Sequence, residues 1–409
     1  MTVRSKWSET TVGAEFDIQL GKMLDAAQDE GDLKRYIGNR AVQWGRIDLD
    51  ASGLVPLNKR EQGRFRLHVG DLLVCEGGEV GRAAIWNHGS VECYYQKALH
   101  RLRPRRGYEA RVMKALLELR ASSDGFADFV TQTSIAHLPR EKFLQLPIPS
   151  IPIGEQRRIA EALEDADSLI ASLERLIAKK QAIKQGMMQQ LLTGRIRLQG
   201  FGGGWTKVLL ADLLEFKNGL NKSSDFFGAG TPIINFMDVM RSPIITQTRV
   251  HGRVTLTRDE VKRFSARRGD VFFTRTSETV QEVGTAAVLV DEIPAASFSG
   301  FILRGRPTTD LVDTTFLALL FQLKSVRSQV VATASYTTRA LTNGRSLGRV
   351  EVYLPGRAEQ GALVEVLADV DRDFDVLQHR LESVRAVKQG MMQELLTGRT
   401  RLVPAEAAA

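Results

Sequence analysis

Two cysteines, Cys75 and Cys93, are all that the 409 residues contain. So few thiols exclude a disulfide framework and a four-thiolate zinc site, and they point to a reducing cytoplasm. No apolar run approaches the ~20 residues of a membrane span. The polar start MTVRSKWSET has no hydrophobic signal core, so no membrane partner is expected. Prolines are sparse and never adjacent, which removes the Asn/Asp-Pro-Pro-aromatic motif of amino-methyltransferases. Phosphate-binding and dinucleotide-binding glycine loops, the G-x-S-x-G elbow and the H-E-x-x-H pair are all missing, and the histidines are scattered. Glu76 and Glu79 are turn carboxylates on a solvated loop. The chain therefore reads as a binding scaffold with no catalytic residue, no metal ligand and no cofactor of its own.

What is present is a repeat. AIKQGMMQQLLTGRIRL, from Ala182, and AVKQGMMQELLTGRTRL, from Ala386, agree at fourteen of seventeen positions and lie 204 residues apart. At the same offset, the stretch from Glu155 matches the stretch from Glu359, pairing Glu155 with Glu359, Gln156 with Gln360, Leu163 with Leu367 and Asp167 with Asp371. Further back the offset drifts to 203 and then 199, pairing Gly81 with Gly284, Arg103-Pro104 with Arg306-Pro307, and GDLLV at Gly70 with GDVFF at Gly269. Small loop insertions in a duplicated unit cause such drift. Two copies of so long a module do not make a solenoid.

Each module has two textures. Short β-like runs (DLLVCE, AAIW, DVFFTRT, TAAVLV) between Gly and Asp turns give way to a long Pro-free stretch with heptad-like apolar spacing. The seam positions are Leu163, Ile170, Leu173, Ile177 and Leu191 in the first copy. In the second they are Leu367, Phe374, Leu377, Leu381 and Leu395. Lys180 and Lys184 interrupt the first seam, and Lys388 the second. A helix of about 40 residues would run about 60 Å, and two such helices offer each other matching seams as an antiparallel coiled coil. The expected fold class is α+β: two mixed α/β domains separated by two long antiparallel helices in a pseudo-twofold repeat. The expected boundaries are residues 1–151 and 199–355 for the domains, 152–198 and 356–403 for the helices, and 404–409 for a tail.

A formal net charge of +8 favours a polyanionic partner, and a long spacer between two readers suits a duplex. YYQKALHRLRPRR interleaves aromatic, amide and basic groups; Tyr95, Gln96, Lys97, Arg101 and Arg103 are its candidate DNA contacts, the arginines for phosphates. Base readout favours amides, guanidiniums and small hydroxyls on loops. YIGNRAVQWGR supplies Asn39, Arg40, Gln43 and Arg46, and VTQTSIAH supplies Thr133, Ser134 and His137. The second module offers Asn235, then Arg275, Thr276 and Ser277, and finally Thr338, Arg339 and Asn343.

The run LPIPSIPIGEQRRIAEALEDADSLIASLERL, followed by KQGMMQQLLTGRIRL and repeated at the C-terminal end, resembles the specificity subunit of type I restriction-modification systems. The resemblance covers essentially the whole chain, although VYLPGRAEQGAL has lost most of the prolines. It implies two target-recognition domains, each reading half of a split, asymmetric site in double-stranded DNA. It also implies two modification subunits carrying S-adenosylmethionine, and two restriction subunits using ATP and Mg. The competing readings are a fused or stand-alone restriction or methylation enzyme, and a scaffold that does not read DNA.

Overall fold

A computed structural model describes residues 6–24, 30–123, 125–132, 136–336 and 339–402. The chain forms two compact units, one of Met1–Arg175 with Gln378–Ala409 and the other of Leu176–Leu377. Among the described residues no helix is long and apolar enough to cross a membrane.

In the first unit the sheet runs in the order Phe16–Leu20, Leu99–Pro104, Leu72–Cys75, Ala83–Ile85, all antiparallel. The run LLVC is apolar without alternation because both faces of its strand are covered. Side chains that alternate across the pleat enter two different cores. Leu72 and Val74 join Phe16, Ile18 and Leu102, whereas Leu73 and Cys75 join Trp86, Tyr95 and Leu99. The second of these cores lies under a smaller sheet of Gly53–Leu57, Asp32–Ile37 and Tyr94–Tyr95. The first core is closed by the helix Ala110–Ala121 and by the long helices.

The second unit repeats this plan in the same chain order. Leu214–Asn218, Ile302–Pro307, Val271–Thr274 and Ala286–Leu289 form the antiparallel part of a five-stranded sheet, and Ile244–Ile245 adds a parallel edge. Val271 and Phe273 face the core shared with the long helices, and Phe272 the opposite one.

The long helices are Ile153–Leu191 and Arg357–Leu396, the lengths expected from the heptad stretch. Partners within each unit run in opposite directions: Asp167 with Lys388 and Glu174 with Arg385 in the first, Lys180 with Asp373 and Lys184 with Asp371 in the second. The helices are therefore antiparallel, and the three lysines that interrupt the seam each meet a carboxylate. Each unit takes the start of one helix and the end of the other. Ile159 and Leu163 are buried with Met392, Leu395 and Leu396, just as Leu363 and Leu367 are buried with Met188, Leu191 and Leu192. Leu173 and Leu381 are buried in mid-helix, while Ile170, Ile177, Phe374 and Leu377 are half-buried.

The duplicated phrases are the ends of this packing. Arg401 donates through Nε and Nη2 to the buried carboxylate of Glu155 at 2.8 and 2.7 Å, and Arg197 does the same to Glu359 at 2.5 Å each. Gln156 accepts Glu109 N–H and donates to Ile151 O, both at 2.7 Å. Gln360 matches it, accepting Asp313 N–H at 2.7 Å and donating to Pro355 O at 2.9 Å. Gly398 and Gly194, at φ +71° and +69°, end the helices where only glycine is comfortable, and an added Cβ would meet Trp7 and Trp205 at 2.7 and 3.2 Å. The Glu and the T-G-R-x-R-L ending are thus two sides of one contact, made once in each unit, while the adjacent Gln ties the helix start to its own domain.

Candidate nucleic-acid interface

The basic strand Leu99–Pro104 proves to be a core strand. Tyr95 is fully buried, and its phenolic pKa is pushed well up by burial. Arg101, 3% exposed, lies over the Tyr95 ring and donates to Asp17 at 3.2 Å. Arg103 donates through Nε and Nη2 to Asp71 at 2.5 and 2.9 Å, and that hydrogen-bonded carboxylate raises its pKa. The second unit repeats the arrangement with Arg304 over Phe298 and Arg306 on Asp270 at 2.7 and 2.6 Å. The repeated Gly-Asp and Arg-Pro pairs therefore mark a structural ion pair. The contacts expected of Tyr95 and Arg101 are corrected accordingly, since both side chains are buried; the Arg103 side chain, held by Asp71, is 33% exposed. Beside them, Gln96 is half-buried against Gly38 and Lys97 is exposed.

The other first-unit candidates come together at one end of the domain. Asn39 Nδ2 donates to Gly77 O at 3.0 Å, and Gly77 bridges His137, whose ring would clash with any Cβ added there. Arg40 and Arg46 are exposed around the short hairpin in which Gln43 pairs with Arg46, and Gln43 Nε2 donates to Arg40 O at 2.8 Å. Trp44 and Arg82, both missed in the sequence, hold this hairpin to the next loop through Glu79, which the sequence offered only as a turn carboxylate. Trp44 Nε1 donates to Glu79 at 2.5 Å, Arg82 Nη1 donates to the same carboxylate at 3.1 Å, and Arg82 Nη2 donates to Asn39 O at 2.9 Å. Their only signal was the matched Gly81 and Gly284, whose positive φ of +82° and +65° fixes the loop that carries Glu79. Thr133 and Ser134 lie outside the described residues.

In the second unit Arg275, Thr276 and Ser277 leave the central strand together, and Thr276–Ser277 pairs with Ala340–Leu341. Ser277 is buried and donates to Glu282 at 2.5 Å, so its hydroxyl is occupied. Arg339 is exposed, with Glu278 at 3.9 Å. Two candidates serve as helix starts instead. Asn343 Oδ1 accepts Ser346 N–H at 2.9 Å, and Asn235 begins the helix Phe236–Arg241 with its amide turned to Ile233 O at 3.4 Å. Thr338 lies outside the described residues. Among the described residues, no group of three or more His, Cys, Asp or Glu could hold a metal ion.

The first surface gathers guanidinium, amide, carboxylate and imidazole groups, and the second guanidinium, hydroxyl and carboxylate groups, each on loops at a strand end and suited to reading hydrogen-bonding edges. Residues 5–185 match the model of the type I restriction modification DNA specificity domain. The MjaVIII specificity subunit of Methanocaldococcus jannaschii is 23% identical over 66% of this chain and 66% of its own length. The EcoKI specificity subunit of Escherichia coli is 24% identical over 87% of this chain and 79% of its own length. A solved type I restriction-modification S subunit from M. genitalium superposes with a TM-score of 0.57 at 15% identity, covering 96% of both chains.

Proposed function

We propose that this chain, like the type I restriction enzyme specificity subunits it resembles, is the non-catalytic, DNA-reading subunit of its complex and recognises a bipartite, asymmetric target. Residues 1–151 read one half-site and residues 199–355 the other, with 152–198 and 356–403 as the conserved spacer helices. Two modification subunits dock on this chain and bring S-adenosylmethionine. Two restriction subunits join them and use ATP and Mg, and the assembly works in the cytoplasm on double-stranded DNA.

One observation carries the reading: the duplication is selective. The Asp–Arg pair, the Glu–Arg contact at the helix ends and the Gln bonds to the domain backbone recur in both units, whereas the loop groups differ. Asn39, Arg40, Gln43 and His137 stand in one unit, and Arg275, Thr276 and Arg339 in the other. A scaffold that only joined proteins would have no need of two different surfaces on one frame, whereas a reader of two unlike half-sites needs both. The test is methylome sequencing of cells that express the chain with its modification partner. A split motif supports the reading. Methylation without sequence preference, or DNA cleavage or methylation by the purified chain alone, refutes it.

A further inference from the structure

In each unit one residue leaves the buried central strand at the same point. Glu76 follows Leu72–Cys75, and Arg275 follows Val271–Thr274. Glu76 N–H donates to Ala98 O at 2.9 Å, and Glu76 O accepts from Leu138 N–H at 2.7 Å. Arg275 N–H donates to Phe301 O at 2.9 Å, and Arg275 O accepts from Thr342 N–H at 2.9 Å. The two backbones are therefore held in the same frame, between the loop entering one neighbouring strand and the end of the same short hairpin. Both residues are half-buried, and no side-chain hydrogen bond or ion pair occupies either group among the described residues. Their chemistry is opposite: a carboxylate only accepts, and a guanidinium only donates.

The surroundings support two different ligands. Burial raises the Glu76 pKa, while the charges of His137 and Lys97 favour its ionised form. Phe301, whose carbonyl accepts the Arg275 N–H, is 63% exposed and offers an apolar surface where the first unit has only Ala98. Such a duplicated position, fixed in backbone and inverted in hydrogen-bonding sense, is where two half-sites would come to differ.

We propose that this is a base-reading position in both units: Glu76 accepts the N4 amino group of a cytosine in one half-site, and Arg275 donates to O6 and N7 of a guanine in the other. The assignment rests on the DNA-reading function proposed above. The edge pattern decides the bases, because cytosine presents a donor in the major groove and guanine two acceptors spaced for a guanidinium.

The experiment uses the full chain with its modification partner, as wild type, Glu76→Gln and Arg275→Gln, read by methylome sequencing. Glu76→Gln is expected to change one position of one half-site from cytosine towards adenine, whose N6 and N7 a glutamine amide matches. Arg275→Gln is expected to lose guanine at one position of the other half-site. Competition binding should show discrimination at those base pairs falling roughly ten- to a hundredfold. An unchanged motif in both active variants overturns the assignment. Should a variant methylate nothing, its purified complex is titrated against duplexes carrying each base at each position. Uniform weakening then overturns the assignment, and loss of preference at one base pair supports it. A wild-type complex with no sequence preference refutes the DNA-reading function itself, a result distinct from either.

Discussion

A chain cut after Leu198 should pair with a second copy of itself. The cut removes Met392, Leu395 and Leu396 from the first core, where they are 3%, 5% and 1% exposed. At roughly 1.5–3 kcal/mol for each buried side chain, the loss is about 5–9 kcal/mol. That is comparable to the entire stability of a typical domain. The fragment also strips Glu155 and Asp167 of Arg401 and Lys388. A second copy can return all of these groups, because Met188, Leu191, Leu192, Arg197 and Lys184 stand 204 positions before them in the repeat. Only mid-helix would the match fail. By the same offset Lys180 would face Leu169 in place of Asp373, and Glu174 would face Gln181 in place of Arg385. The two native pairs are largely exposed, with side-chain exposures of 35% and 65% in one and 55% and 48% in the other, so their loss costs little. Lys184, by contrast, keeps its function by meeting Asp167. Sedimentation of the fragment should therefore show a dimer whose dissociation is accompanied by unfolding, and with the modification partner it should methylate an interrupted palindrome of the first half-site. A folded monomer at micromolar concentration, or a dimer that still required the asymmetric parent site, would refute the equivalence of the two ends.

Arg40→Ala with Gln43→Ala should relax one half-site only, and Arg275→Ala with Arg339→Ala only the other, with each lost bidentate base contact worth about 1–3 kcal/mol; methylome motifs altered equally in both halves would contradict independent readers. Asp167 sits between Lys114 and Lys388 at 3.1 and 2.8 Å, and although burial opposes its charge, these partners hold its pKa below the usual value. A depressed carboxylate contributes stability above its unfolded pKa of ~3.9 that is lost as pH falls through the lower folded value. Asp167→Asn should accordingly be less stable at neutral pH and show a shallower acid-unfolding slope, and parallel acid titrations of the two proteins would argue against the pair. Gly398→Ala forces a Cβ onto Trp7 at positive φ and should cost about 2–4 kcal/mol in denaturant unfolding. Gly194→Ala, with Trp205 farther away, should cost less; the reverse order would show that the tryptophan contact does not decide the cost.

The parts of the fold legible in the sequence are those with a period. Heptad spacing marked both long helices, and a continuous apolar run marked each central strand, since LLVC and VFFT bury both faces. The offset between copies carried more than pattern alone. Glu155 with Glu359, and Arg103 with Arg306, were visible as matches, but a match does not say what it touches. That Glu155 holds Arg401, or that Arg103 closes on Asp71, depends on residues far apart in the chain meeting at one point. Composition misled for the same reason. Arg101 and Arg103 look like a phosphate-binding strip in a linear reading, yet on a strand that alternates between cores their direction is set by the pleat, and each found its partner inside the first unit.

The candidate site was legible by the opposite rule. Where the copies agree, the residue is explained by the frame, as Asp71, Arg103, Gln156 and Gly194 are by their twins. Where the copies sit in one frame and disagree, the fold has no claim on the side chain, and function is left to account for it. Glu76 and Arg275 meet that condition, since equal backbone bonds hold unlike groups. No property of Glu76 in its own segment set it apart from an ordinary turn carboxylate; the offset of 199 pairs it with Arg275, and only the shared backbone bonds show that the two stand in one frame. Asn343 illustrates the converse. It looked like a base reader in sequence, but its side chain caps a helix, so the demand of the frame explains it. In a duplicated protein the informative residues are thus the unmatched ones in matched places, and those are the positions where substitution should change what is read without changing what is built.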